Sequence, residues 1–272
     1  MIINWKLWQS WSSDALFGLC LIGAGLVSAF VPKCSYQVLQ CFAEAMVITD
    51  ENEKVITDIQ FEIQPTSVGI GIGMGTDEKT ISAFKAFLKK NKAPLVIDAD
   101  AINMLSKQKD LLKLIPKESI LTPHPKELER LIGKWKDDFD KLKKVKEFSK
   151  AHHLIIVIKG SNTITVYQDK LYINSTGNPG LATAGTGDVL TGIITGLMSQ
   201  GYDPLSATVF GVYLHGKSAD LAVEDFGYQS LIASHVIDYL GAAYLDLFTM
   251  PHQEQPQEEE EDEEEQEKER KK

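Results

Sequence analysis

Short runs of apolar residues alternate along this chain with segments whose apolar residues recur every three or four positions. The short runs fit strands buried on both faces, and the three-to-four spacing fits helices that cover such a sheet. The alternation therefore predicts an α/β fold, a central and mostly parallel sheet flanked by helices. Five strands are predicted, at Gly25–Phe30, Ser67–Ile72, Leu95–Ile97, Ser119–Leu121 and Leu154–Ile158.

Two of the intervening helices have a clear pattern. Asp77 is a good N-cap for a helix that begins at Glu78, because its side chain can accept a hydrogen bond from the first turn. A second helix is predicted before the fifth strand, where the apolar residues Phe139, Leu142, Val145 and Phe148 are three positions apart.

The pattern changes after the fifth strand. Thr163–Tyr167 and Leu171–Ile173 are two short strand-like runs joined by the polar turn Gln168–Lys170, which predicts a hairpin. The next segment, Thr176–Gly180, is rich in turn-forming residues and is predicted to be a loop. It leads directly into the most informative part of the chain.

An uncharged run from Ala15 to Val31 introduces the alternative of a signal peptide or a membrane span. At 17 residues it is shorter than the ~20 residues that a spanning helix needs, and Gly23 and Gly25 interrupt it. A buried helix followed by a buried strand explains the same residues. We therefore expect no membrane partner, and a cytoplasmic location because the run does not act as a targeting segment.

Composition and charge separate a folded body from a tail. Apolar residues make up 43% and charged residues 24%, which is typical of a soluble domain, predicted at residues 1–250. Residues 251–272 contain no aromatic or aliphatic residue and are predicted to be a disordered acidic tail. Of the net charge of −10, residues 254–272 carry −7 (11 acidic, 4 basic), which leaves −3 for the rest. No basic face is indicated, so we expect no nucleic-acid partner.

Three cysteines, Cys20, Cys34 and Cys41, have no paired spacing and no neighbouring histidines. They indicate buried thiols in a reducing compartment, with neither a disulfide framework nor a metal site.

The glycine-rich sequence from Ala184 to Asp188 precedes a helix whose apolar face is predicted to include Val189, Leu190 and Ile193. Free backbone N–H groups and the positive end of the helix dipole favour an anion at such a helix N-terminus. Gly185, Thr186 and Gly187 are therefore predicted to form an anion hole for a phosphate. Asp188 has two interpretations. It is a helix-stabilising charge, or a base that removes a proton from a hydroxyl as it attacks a phosphoryl group.

The stretch from Gly177 to Gly192 closely resembles the signature of ADP- or ATP-dependent NAD(P)H-hydrate dehydratases, members of the ribokinase-like superfamily. The chain is also similar to the C-terminal-type domain of the bifunctional NAD(P)H-hydrate repair enzyme. The resemblance runs from about Gly23 to Leu247. Further matching segments follow in the same order, namely Val96–Asn103, Leu121–Pro125, Ile158–Thr163 and Gly211–Gly216.

The resemblance implies a ribokinase-like fold, and it implies that an adenine nucleotide and Mg²⁺ are used to restore NADH and NADPH from their hydrated S forms. It assigns Asp188 as catalytic base and substrate contact, with Gly187 at the nucleotide and the anion hole. It further implies that Gly73 and His124 bind the substrate and that the enzyme is a homo-oligomer. The implied nucleotide-binding loop comprises Lys159, Gly160, Ser161, Asn162 and Thr163.

Several of these residues also have structural interpretations. The position of His124 between two prolines beyond a strand favours a site role, whereas His215 lies inside a helix begun by Asp203 and Pro204 and is expected to be structural. The glycines at 71, 73 and 75 also fit a tight turn. The polar residues that close the third strand either orient a phosphate or metal, or cap the next helix; they are Asp98, Asp100 and Asn103.

The chain departs from the family pattern in two places. Met1–Asp14 contains three tryptophans and no glycine where the family has a strand and a glycine-rich turn, and Lys126 stands where the family usually has glycine. Two other functions therefore stay open at this point. One is a ribokinase-like kinase of a vitamin precursor or sugar, since a fold does not fix its substrate. The other is a nucleotide-binding homologue without catalytic activity.

Overall fold

The main sheet combines parallel and antiparallel strands. The computed structural model describes residues 18, 22–36, 43–62 and 64–249. Its strands β3 to β6 are parallel neighbours, and β7 and β8 continue the sheet in antiparallel order. β1 and β2 form a separate parallel pair. The strands are β1 (Val27–Val31), β2 (Ala45–Thr49), β3 (Val68–Ile70), β4 (Leu95–Ile97), β5 (Ile120–Leu121), β6 (Ile155–Ile158), β7 (Ile164–Tyr167) and β8 (Lys170–Ile173).

Helices connect the parallel strands and follow the hairpin. The side chain of Asp77 accepts a hydrogen bond from the backbone N–H of Lys79, so the predicted cap of the first described helix is confirmed. Asp203 caps the longest described helix in the same way. The helices are α1 (Glu78–Lys90), α2 (Ala99–Lys107), α3 (Pro125–Ile132), α4 (Asp138–His152), α5 (Thr186–Ser199), α6 (Pro204–Phe226), α7 (Ala233–Asp238) and α8 (Leu240–Phe248).

The central strands are buried on both faces, because alternate residues pack into different cores. Val96 and Ile120 belong to one apolar cluster with residues of α5 to α8. Ile97 and Leu121 belong to the other, with residues of α1 to α4. The architecture is therefore a sheet between two layers of helices, and the predicted α/β class is confirmed.

One strand has no counterpart among the predictions, and two predictions of detail are corrected. β2 is not predicted from the sequence, since its five residues are only half-buried or exposed and no turn former marks its start. Phe139 is 86% exposed, so the apolar side of α4 is narrower than its spacing suggests. α5 is buried around its whole middle section rather than on one face, because it lies between the sheet and α6. Gly211 of α6 permits this close packing, since a Cβ there would lie 2.9 Å from Ile194.

Some predictions concern residues outside those described. These are the atypical start Met1–Asp14, the thiols Cys20 and Cys41, and the tail at 251–272. Cys34 is described and is a half-buried free thiol. In the described part of the chain, none of the helices has the length and apolar content needed to cross a bilayer.

Candidate active site

Glycines and charged residues follow the carboxyl ends of the parallel strands. Gly71 follows β3, Asp98 follows β4 and Lys159 follows β6, while His124 lies three residues beyond β5. Parallel strands end at the same edge of a sheet, and ligands of open α/β sheets bind outside that edge. The structure therefore gathers the candidate residues of four separate chain segments at one edge.

The N-terminus of α5 lies at this edge and is held by a network of hydrogen bonds. Gly185 adopts φ +90°, a left-handed conformation that glycine accommodates readily, and it is the N-cap of the helix. The hydroxyl of Thr186 donates to the carbonyls of Leu181 and Thr183 at 2.8 and 2.9 Å. Thr186 can therefore serve an anion only through its backbone N–H. The backbone N–H of Asp188 donates to the carbonyl of Gly185 at 2.9 Å. The N–H groups of Thr186 and Gly187 come before the first i−4 acceptor of the helix, as an anion hole requires.

His215 of α6 contacts the same end of α5 through a hydrogen bond in the core. Its Nε2 donates to the carbonyl oxygen of Thr186 at 2.9 Å, and burial lowers the pKa of His215 to about 4. The ring is therefore neutral near pH 7 and acts as a hydrogen-bond donor in the core. Its predicted structural role is confirmed.

Lys159 carries a positive charge to the first turn of α5. Its Nζ lies 3.1 Å from the point that a Cβ on Gly187 would occupy. A side chain at position 187 would therefore crowd the ammonium group. The absence of one leaves space beside both the ammonium and the backbone of the helix end. This arrangement can accept a phosphate and stabilise charge that develops on it.

Asp98 is the principal partner of Lys159. Its carboxylate oxygens lie 3.1 and 3.2 Å from Nζ, and the residue is only 2% exposed. The carboxylate also accepts from the backbone N–H of Ala99 and the hydroxyl of Thr191, each at 2.8 Å. Asp98 thus caps α2, as one interpretation of the sequence holds, and it connects β4, β6 and α5 at the same time.

His124 lies on the exposed rim of the site within the electrostatic influence of this ion pair. Loss of water around its ring lowers the pKa of His124, and the nearby positive charges of Lys159, Lys126 and Arg130 lower it further. The departure from the family pattern at Lys126 therefore bears directly on this histidine. The neutral imidazole is favoured, which can donate or accept a hydrogen bond toward a ligand.

Glu127 adds a carboxyl group to the same rim. Its side chain accepts from the backbone N–H of His124 at 2.9 Å, which fixes the start of α3. Burial is the largest effect on Glu127 and raises its pKa, and the negative charge of Asp98 acts in the same direction.

The loop after β3 is fixed against the start of α2. The backbone N–H of Asp100 donates to the carbonyl of Gly71 at 3.1 Å, and the Asp100 carboxylate accepts from Gly75 N–H at 2.8 Å. Gly73 lies between them with φ +59°. Its backbone is thus presented at the strand ends, beside the edge that carries Asp98. Asn103 points elsewhere and accepts from Arg130 at 2.7 Å.

The segment that continues from Lys159 forms an exposed turn before β7. Gly160, Ser161 and Asn162 are exposed, and the hydroxyl of Thr163 donates to the carbonyl of Gly160 at 3.3 Å. An exposed loop at the strand edge is accessible to a ligand of nucleotide size. The role of this loop stays a prediction.

The site suits a magnesium ion that arrives with a phosphate ligand. Among the described residues there is no cluster of three His, Cys, Asp or Glu side chains able to hold a metal. Mg²⁺ is commonly bound through one or two carboxylates together with substrate phosphates, rather than in an all-protein cage. Asp188, half-buried in the first turn of α5, supplies such a carboxylate at the predicted anion hole.

Two residues of the site do not emerge from sequence analysis. Thr191 contacts Asp98 across 93 positions of sequence, and its only signal is a buried hydroxyl within an apolar helix. Glu127 has a better signal, since it stands three residues after the N-cap, where a capping box places a glutamate. Neither pattern by itself indicates a ligand site.

The sheet, its two helical layers and the glycine-rich helix N-terminus at the strand edge define a protein of the ribokinase-like class. The family model described as NAD(P)H-hydrate dehydratase matches residues 17–241. The chain therefore belongs to the NAD(P)H-hydrate dehydratase family.

Individual relatives agree with this assignment. The chain is 35% identical over 230 residues to a bifunctional NAD(P)H-hydrate repair enzyme of Moorella thermoacetica, with 80% of this chain and 43% of the relative covered. It is 35% identical over 198 residues to an ADP-dependent (S)-NAD(P)H-hydrate dehydratase of Neisseria meningitidis, with 71% and 65% covered. The chain thus spans less than two thirds of the length of these relatives.

A solved structure gives the same result. The ADP/ATP-dependent NAD(P)H-hydrate dehydratase of Bacillus subtilis, co-crystallised with ATP and Mg²⁺ and soaked with CoA, matches with a TM-score of 0.78. The two chains are 27% identical, and 90% of each is covered.

Proposed function

We propose that this protein restores NADH and NADPH from their hydrated S forms by dehydration, with ADP or ATP as the phosphoryl donor. The observation that carries the proposal is the first turn of α5, where Gly187 faces the ammonium of Lys159 and is followed directly by Asp188. A positive charge, open backbone N–H groups and a carboxylate in one place are the components of a phosphoryl-transfer site.

Asp188 would act as the base of the first step. Its carboxylate takes the proton of the hydroxyl on C6 of the hydrated ring as that oxygen attacks the terminal phosphorus of the nucleotide. An oxygen–phosphorus bond forms at C6, and the bond to the bridging oxygen breaks, which releases AMP from ADP or ADP from ATP. Lys159 and the N–H groups of α5 stabilise the charge of the transferred group.

The second step is an elimination. The bond between C6 and oxygen breaks and phosphate departs with its electron pair. C5 loses a proton to solvent, and the electrons of the C5–H bond restore the double bond between C5 and C6. Phosphorylation converts a poor leaving group, hydroxide, into a good one. The proposed anion hole of Gly185, Thr186 and Gly187 would hold the departing phosphate.

The remaining contacts follow from the layout of the site. The adenine nucleotide would lie along the exposed loop Lys159–Thr163, with Mg²⁺ held mainly by its phosphate oxygens and neutralising their charge. Gly73 and His124 would bind the hydrated cofactor from the opposite side of the strand edge. We further propose a cytoplasmic homo-oligomer with no nucleic-acid partner.

The test is a repair assay with purified protein. Hydrated NADPH is incubated with Mg²⁺ and either ADP or ATP, and recovery of the absorbance of the reduced cofactor is followed. We expect recovery that requires a nucleotide and releases one phosphate per cofactor. Phosphorylation of a sugar or vitamin precursor without such recovery would identify a kinase instead, and nucleotide binding without turnover of any of these would identify a catalytically inactive homologue.

A further inference from the structure

The ammonium group of Lys159 occupies a position that α5 does not favour. Its Nζ is 3.1 Å from the Cβ position of Gly187, in the first turn of α5. The N-terminus of a helix carries a partial positive charge, so a cation beside it is disfavoured. A separate interaction must therefore hold Lys159 there.

The carboxylate of Asp98 supplies that interaction and is itself fixed independently of Lys159. The Asp98 side chain is 3% exposed, against 23% for that of Lys159. It accepts hydrogen bonds from Ala99 N–H and from the hydroxyl of Thr191, both at 2.8 Å. These two contacts orient the carboxylate relative to α2 and α5. Lys159 then approaches both of its oxygens, at 3.1 and 3.2 Å.

Stability does not explain this ion pair well. Removing two charges from water offsets most of their attraction, so buried ion pairs contribute little net stability. A lysine side chain also loses rotamer entropy when it is held in one position. What the pair does achieve is a defined position for an ammonium group that would otherwise move away from the helix end.

We propose that Asp98 is a positioning residue, which holds the ammonium of Lys159 at the N-terminus of α5 so that both contact the phosphate of the bound nucleotide. A phosphate between the two positive ends turns an unfavourable placement into a favourable one for each. Two contacts to Asp98 engage at most two of the three ammonium hydrogens, and the third is available to the ligand. The identity of the ligand as a nucleotide rests on the proposed function.

Variants that keep the charge of the site test position alone. Asp98→Glu retains the carboxylate but lengthens its side chain by one methylene, which displaces the ammonium. Thr191→Val removes one of the two contacts that orient Asp98. The matched control is Thr195→Val, one turn further along α5, where the buried hydroxyl donates, among the described residues, to the carbonyl of Thr191 alone. Binding of ADP with Mg²⁺ is measured by calorimetry, and KM is measured for each substrate.

We expect Asp98→Glu to raise the Kd for ADP about tenfold and Thr191→Val to raise it about threefold, with Thr195→Val within about twofold of the unchanged protein. KM for the nucleotide should rise in parallel. KM for hydrated NADPH should stay within about twofold, because the ammonium is proposed to face the nucleotide. A general loss of structure would change both KM values.

A double-mutant cycle separates positioning from an independent effect of Asp98. In Lys159→Met no ammonium remains to be positioned, so adding Asp98→Glu should change the Kd for ADP by less than about twofold. A tenfold effect that persisted in this background would show that Asp98 acts without Lys159 and would overturn the inference.

Folding is checked by thermal unfolding of each variant. If Asp98→Glu or Lys159→Met does not fold, the test is the comparison of the Kd for ADP between Thr191→Val and Thr195→Val. Equal Kd values for these two variants would overturn the inference. ADP binding is read without turnover. If the variants weaken ADP binding as expected but the protein does not recover NADPH, only the proposed function is overturned. If the protein recovers NADPH but Asp98→Glu and Thr191→Val leave ADP binding unchanged, only the positioning role is overturned.

Discussion

The backbone carbonyl oxygen of Asp98 lies 1.9 Å from the position that a Cβ on Gly71 would occupy. The ends of β3 and β4 are therefore in direct backbone contact, and only glycine fits at position 71. Its φ of +124° is a second reason, because residues with a side chain rarely adopt it. The contact holds the backbone of Asp98 against the end of β3, and the side chain of Asp98 contacts Lys159.

Replacing Gly71 with alanine is expected to destabilise the protein by more than about 2 kcal/mol, since the backbone of β4 must move away. Urea unfolding measures this. Gly25→Ala is the control, because a Cβ there meets open space, and it should change stability by less than about 0.5 kcal/mol. Equal midpoints for the two variants would contradict the contact.

Asp188→Asn is expected to lower kcat for cofactor repair by about 10³-fold, because the amide cannot take the proton of the attacking hydroxyl. ADP affinity should change by less than about threefold, since the backbone of α5 is unaltered. Asp203→Asn is a matched control at the next helix, where asparagine caps as well as aspartate. Undiminished repair by folded Asp188→Asn would exclude the base role.

Gly187→Ala is expected to separate stability from ligand binding. Alanine is the better helix former, so stability should hold or rise by up to about 1 kcal/mol. The added Cβ would lie 3.1 Å from Nζ of Lys159 and would fill the space for a phosphate, so the Kd for ADP should rise at least about tenfold.

Gly241→Ala is the control for this change. Gly241 is the second residue of α8, as Gly187 is of α5, and a Cβ there meets open space. Its effect on ADP binding should be negligible. If Gly187→Ala bound ADP as tightly as Gly241→Ala does, the phosphate would not lie at this helix end.

His215 gives the fold a defined dependence on pH. Burial lowers its pKa from 6.5 to about 4, so the unfolded chain binds a proton more readily than the fold does. Stability is therefore lost as pH falls from about 6.5 to about 4, by about 2 kcal/mol at pH 5.

His215→Gln should remove this dependence, because glutamine can also donate to the Thr186 carbonyl but does not titrate. Urea unfolding at about pH 7.5 and about pH 5 measures the difference. The unchanged protein should lose about 2 kcal/mol more than the variant between these conditions. Equal losses would show that His215 titrates normally.

Much of the fold can be predicted from local patterns. The apolar runs at Leu95–Ile97 and Leu154–Ile158 coincide with β4 and β6 to within one residue, because strands buried on both faces leave a continuous apolar signal. β2 leaves no such signal, since it is only partly buried. The same limit applies to Phe139, whose spacing fits a buried face although the fold leaves it exposed.

The site divides in a similar way. Asp188 and the glycines before it are adjacent in sequence, so their placement at a helix N-terminus can be predicted from local chemistry. Lys159 and Asp98 are 61 positions apart, and their contact depends on the order of β4, β5 and β6 in the sheet. The order of strands in a sheet cannot be predicted from any local sequence pattern.

The sequence by itself determined the first turn of α5, because capping, glycine conformation and the free N–H groups of a helix end act within a few residues. Only the tertiary structure decided that this turn faces Lys159 and that Asp98 and Thr191 hold the lysine there. Those contacts join β4, β6 and α5, and a contact between distant segments forms only when the whole sheet has packed against its helices.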